Sequence, residues 1–142
     1  MVIVHAFIDA ITRGWIHIGM RIMKEFEEII LKNDKRVLPS LLQSFKDSPY
    51  LMDLKLSMLK LFLPLLQFHY IDVLITNFAY MVEHSTSANG IMITNINPFL
   101  MVATMLEIFS KIKSKFPLAN LRIQVLERKL TDNVKNMLSD IY

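Results

Sequence analysis

The sequence predicts an all-α domain of six or seven helices, arranged as consecutive antiparallel hairpins or a compact helical bundle. Two observations predict it. Apolar residues recur at three- and four-residue steps along almost the whole chain, the spacing that gathers side chains on one face of a 3.6-residue helix. The central stretch, residues 37–66, reads as two apolar helices back to back around a short polar joint at residues 46–49.

The first pattern covers residues 4–29. Val4, Ile8, Ile11, Trp15, Ile18, Ile22, Phe26 and Ile29 make one stripe, predicting a long amphipathic helix. Gly14 and Gly19 interrupt it, each costing about 1 kcal/mol relative to Ala inside a helix. Either a neighbouring helix approaches closely there or the helix bends. The opposite face carries Arg13, Arg21, Lys24, Glu25 and Glu28, with Arg21–Glu25 and Lys24–Glu28 at i,i+4 spacing. Residues 32–36, KNDKR, form a polar joint.

In the central stretch Val37, Leu38, Leu41, Leu42 and Phe45 share one face, and Pro39 is placed near the helix start, where its missing N–H removes no helical bond. Asp47, Ser48 and Pro49 supply turn chemistry. Beyond them Leu51, Leu54, Met58, Leu61 and Leu65 form one stripe and Leu56, Leu59, Leu63 and Leu66 a second, so the second helix is expected to be buried on two sides. The run Leu38, Pro39, Leu41, Leu42, then Asp47 and Met52, resembles the first helix, closing acid and next apolar slot of the HEAT-type helical repeat; Asp53 stands where that family tends to carry a basic residue. The resemblance covers one unit, residues 37–66, and implies a HEAT-like stacking of hairpins with a scaffold or interaction role.

After Pro64 a helix with the stripe Ile71, Leu74, Phe78 and Met81 is expected to end before Ser85. Residues 84–97, HSTSANGIMITNIN, lack helical periodicity, and Asn89-Gly90 is a turn signal; so long a connection is either mobile or functional. Asn97 and Pro98 read as cap and first residue of the next helix, striped by Phe99, Val102, Leu106, Phe109, Ile112 and Phe116. Pro117 begins another helix to about Leu130, and Thr131 or Asp132 caps a last one carrying Val134, Met137, Leu138 and Ile141.

At 142 residues the chain suffices for one domain, 1–142, and a pattern already helical at His5 fits a piece of a longer helical-repeat protein. Hydrophobic residues make up 53% against 20% charged, an excess hidden either in a large core or against a partner. The absence of cysteine excludes disulfides and thiolate metal sites, which together with the lack of a secretory signal or glycosylation sequon suggests an intracellular setting, cytoplasmic or nuclear. The best candidate for a membrane span, residues 61–82, has Asp72 and His69 in its middle, and a mid-helix Asp costs roughly 2.5 to 3.5 kcal/mol.

No GxSxG, GxxxxGK[ST] or HExxH motif is present, and Glu27 and Glu28 point to different sides of a helix, so no enzyme is expected. His5 and Asp9 sit at i,i+4, but two ligands are too few for a closed metal site, so neither metal nor cofactor is expected. Ten methionines, mostly at stripe positions, read as core filling.

Function is therefore expected in surfaces: a non-catalytic interaction or scaffold domain that buries apolar helix faces against a protein partner or itself. The candidate face is Trp15, Ile18, Ile22 and Phe26. The alternatives are a membrane-peripheral or membrane-complex subunit, and a nucleic-acid-binding module using the basic end. Residues 111–142 hold seven Lys/Arg against three acids, a net of +4, leaving −1 for residues 1–110. Lys111, Lys113, Lys115, Arg122, Arg128 and Lys129 are the candidate basic surface.

Overall fold

A computed structural model describes residues 2–47, 50–83 and 98–141. The expected connection at 84–97 and the 48–49 part of the central turn lie outside the described residues. Among those described the chain is all-α, with eight α-helices. Where the sequence suggests one domain, the contacts divide the chain into two compact units, Met1–Leu66 and Gln67–Tyr142.

In the first unit the expected long helix is three: α1 (Val2–Thr12), α2 (Ile16–Glu25) and α3 (Glu27–Lys32). Gly14 makes the first break. Its φ is +80°, Trp15 N–H donates to Ala10 O at 2.8 Å, and Gly14 N–H donates to Ile11 O at 3.1 Å. This is a Schellman ending, which needs a left-handed residue at that position and so favours glycine. Gly19 serves the other alternative: a Cβ there would lie 2.6 Å from Ile11 Cδ1, so the missing side chain lets α2 fold back closely on α1. At Phe26 the backbone leaves helical geometry (φ −128°), but Phe26 N–H still reaches Ile22 O and Ile30 N–H reaches Phe26 O, so α3 continues α2 through a kink.

The expected polar joint at 32–36 shrinks to Asn33. Its Nδ2 donates to Ile29 O at 2.8 Å, closing α3, while its own carbonyl accepts from Arg36 and Val37 N–H and opens α4 (Asp34–Asp47). The earlier start puts Pro39 inside the helix rather than in its first turn, at the loss of one helical hydrogen bond. The expected face of α4 is confirmed: Val37, Leu38, Leu41, Leu42 and Phe45 are buried.

Leu51, at φ 54°, leads into α5 (Met52–Phe62). The Leu56, Leu59, Leu63 and Leu66 stripe is buried, but burial on two sides does not hold. Leu61 is 37% exposed and Leu65 is exposed as well, because the chain tightens into a 3-10 turn at Leu63–Leu65 and the second α5 face is covered only as far as Met58. Within this unit α1 packs on α2 and α4, α4 on α5, and α2 on α5.

The second unit holds α6 (Ile71–Glu83), α7 (Pro98–Lys115) and α8 (Asn120–Ile141), with 3-10 turns at Phe68–Tyr70 and Pro117–Ala119. Ile71, Leu74, Phe78 and Met81 are buried as expected. On α7 the buried face is rotated from the expected stripe: Val102, Phe109 and Ile112 are buried as expected, but Phe99 is exposed, Leu106 and Phe116 are half-buried, and Met101, Met105 and Ile108 fill the core. Phe109 meets Phe78 edge-on at 4.9 Å, a favoured aromatic geometry. The two expected last helices are one. Thr131 Oγ1 donates back to Glu127 O at 2.8 Å within α8 instead of capping a new helix, and no glycine or proline follows to stop the first.

Candidate interaction surface

Two rows of side chains run along α2 and into α3. Ile16, Gly19 and Met23 on α2 and Ile30 on α3 are buried in the first unit. The neighbouring row is Trp15, Ile18, Ile22, Phe26 and Ile29. Trp15 and Ile18 are each 51% exposed, Phe26 and Ile29 are also exposed, and Ile22 is half-buried. The four residues expected from the sequence thus lie along one apolar ridge, with Ile29 extending it.

The ridge is held in place at its N-terminal end. Arg13 lies over the Trp15 ring at 5.2 Å and is itself tied to Asp9 at 3.0 Å, so the indole is bracketed by a cation that its own helix turn positions. Asp9 is therefore engaged with Arg13, and His5 Nε2 lies 3.4 Å from Arg36 Nη2. On the same helices Arg21, Lys24, Glu25 and Glu27 are exposed and form no ion pair among the described residues. Glu28 pairs with Lys32 at 3.1 Å rather than with Lys24.

Several of the basic candidates lie beside carboxylates. Lys111 pairs with Glu107 at 3.3 Å, Lys113 with Glu127 at 2.6 Å, and Arg122 with Asp72 at 2.5 Å. Lys115 lies 5.5 Å from the Phe116 ring. Arg128 lines a shallow recess of about 380 Å³ that also holds Glu127, Asp132 and Lys135, and Lys129 lines one of about 490 Å³ with Glu83 and Asp132. Carboxylates thus interleave with the cations and flatten the positive field a phosphate backbone would feel. Among the described residues no three His, Asp or Glu side chains converge as for a metal ion, and no helix is long and apolar enough to cross a membrane.

Two features escaped the sequence. Leu118, in the 3-10 turn before α8, and Leu121 and Val125, in its first turns, are exposed at three- and four-residue steps, Leu118 at 85%; the spacing was legible, but the buried row Ala119, Ile123, Leu126 and Leu130 beside it follows the same period. Lys55 is 2% exposed, its Nζ donating to Ser44 O at 2.7 Å. Burial pushes its ammonium down from the ordinary 10.5 to about 8, and the Asp47 carboxylate works in the opposite direction. Nothing in the hydropathy pattern announces a lysine in a core.

No family model, curated protein or solved structure matches the chain.

Proposed function

We propose that this protein is a non-catalytic, intracellular interaction element whose working surface is the apolar ridge of α2 and α3. The observation that carries the reading is the contrast between the two adjacent rows: Met23 and Ile30 are fully buried, while Trp15, Ile18 and Phe26 stand in water. Exposed aromatic and aliphatic side chains at regular helical spacing suit the anchoring of a protein partner, since aromatic anchors dominate interface energetics. A HEAT-type repeat is part of the proposal. It is supported by two helical pairs, α1 with α2 and α4 with α5, laid so that α1 packs on α4 and α2 on α5.

Photo-crosslinking in the cell tests the reading. A benzophenone side chain at Ile18 or Phe26 is expected to give discrete protein adducts, and one at Arg128 on the second unit is not. Adducts of the same pattern from all three positions, or from none, would remove the ridge as the working surface.

A further inference from the structure

We infer that the ridge of α2 and α3 pairs with the same ridge of a second copy of this chain, the two running antiparallel across a two-fold axis at Ile22. This rests on the interaction reading above and names its partner.

The spacing is the first argument. Trp15, Ile18, Ile22, Phe26 and Ile29 follow one another by steps of three, four, four and three, which read the same in both directions. An isologous interface needs that property, because each residue of one copy must meet its counterpart counted from the other end. With Ile22 on the axis, Ile18 faces Phe26 of the other copy and Trp15 faces Ile29. Every exposed apolar member of the ridge then has an apolar partner. The kink at Phe26 keeps its helical hydrogen bonds on both sides, so the ridge remains continuous through it.

Charge is the second argument, independent of the first. On the Trp15 side of Ile22 the charges are Arg21 and Arg13, the latter tied to Asp9; on the Ile29 side Glu25 and Glu27 outweigh Lys24, and Glu28 is tied to Lys32. One end of the ridge is basic and the other acidic. A partner of a single charge would meet a like charge at one end, whereas the antiparallel copy sets acid against base at both. Arg21 and Glu25, exposed and without an ion pair among the described residues, lie on the same flank one and three residues from Ile22 on opposite sides of it, and face each other across the axis twice.

The test is sedimentation of the purified full chain over a concentration series. The wild-type chain is expected to pass reversibly from monomer to dimer, and Ile18→Glu to remain monomeric with helicity unchanged, since Ile18 is half in water already. Arg21→Glu alone and Glu25→Arg alone should each weaken the dimer by about tenfold or more, through like charges facing across the axis. An equimolar mixture of these two variants should recover wild-type affinity to within about threefold, because only the mixed pair sets acid against base at both contacts. A wild-type chain that stays monomeric overturns the pairing, as does a dimer indifferent to the charge reversals or one the mixture does not rescue. A monomeric chain that still gives cellular adducts from Ile18 sinks self-pairing and leaves the interaction reading intact. A monomeric chain giving no such adducts sinks both.

Discussion

Lys55 Nζ donates to the main-chain oxygen of Ser44 at 2.7 Å, so a lysine of α5 takes up one of the last four carbonyls of α4. In the second unit Asn133 Nδ2 of α8 donates in the same way to Val82 O, in the last turn of α6, at 2.8 Å. Both helix ends lack the glycine that would let the backbone satisfy its own carbonyls, and in each a side chain from another helix supplies the donor. The positive charge of Lys55 also opposes the negative end of the α4 dipole.

The pH dependence of stability follows from Lys55. Its folded value, about 8, lies below the ordinary 10.5 of the unfolded chain, so between these limits the unfolded state binds the extra proton and stability rises with pH. The contribution is complete above 10.5, is lost as pH falls to about 8, and is flat below. Urea unfolding of wild type and Lys55→Met at several pH values isolates it. The difference between them should move in favour of wild type across that window, and a pH-independent difference would contradict a depressed folded value.

Asn133→Ala should lower stability by about 1 kcal/mol, the net worth of a typical protein hydrogen bond, because it strips a donor from the end of α6. Denaturant midpoints measured beside Asn136→Ala, an exposed asparagine on the same helix, provide the comparison. Equal midpoints for the two variants would mean that Val82 O does not depend on Asn133.

Leu41→Ala should cost about 2 to 5 kcal/mol, as removal of a fully buried leucine does, whereas Leu61→Ala, in a side chain 37% exposed, should cost clearly less. Equilibrium unfolding of both variants decides it. Equal losses would show that the exposed α5 face is covered in solution.

Gly14→Ala should destabilise by about 1 kcal/mol or more, although a Cβ there would meet nothing within 4 Å; the penalty is conformational, from φ +80°. Gly14→Asn should recover part of it, since asparagine tolerates left-handed geometry better. Thermal melts of the pair would show an identical loss if crowding rather than backbone conformation were the cause.

Periodicity determined the all-α class and the buried face of α4, because wherever Val37, Leu38, Leu41, Leu42 and Phe45 settle, the step of three and four puts them on one side of a helix. It also drew the ridge Trp15, Ile18, Ile22 and Phe26 together, since a helix face is a local property. Which of two adjacent faces is buried was decided by tertiary packing. On α2 the row containing Gly19 goes inward because Ile11 needs that space, and on α7 Met101 and Met105 displace Phe99 from the core. Helix ends were also beyond periodicity: Gly14, Asn33 and Thr131 act through individual hydrogen bonds that a hydropathy pattern does not contain. The burial of Lys55 belongs to the same class. Lys55 can enter the core because α4 ends with a carbonyl in its reach, and that meeting of α4 and α5 exists only once the chain has folded.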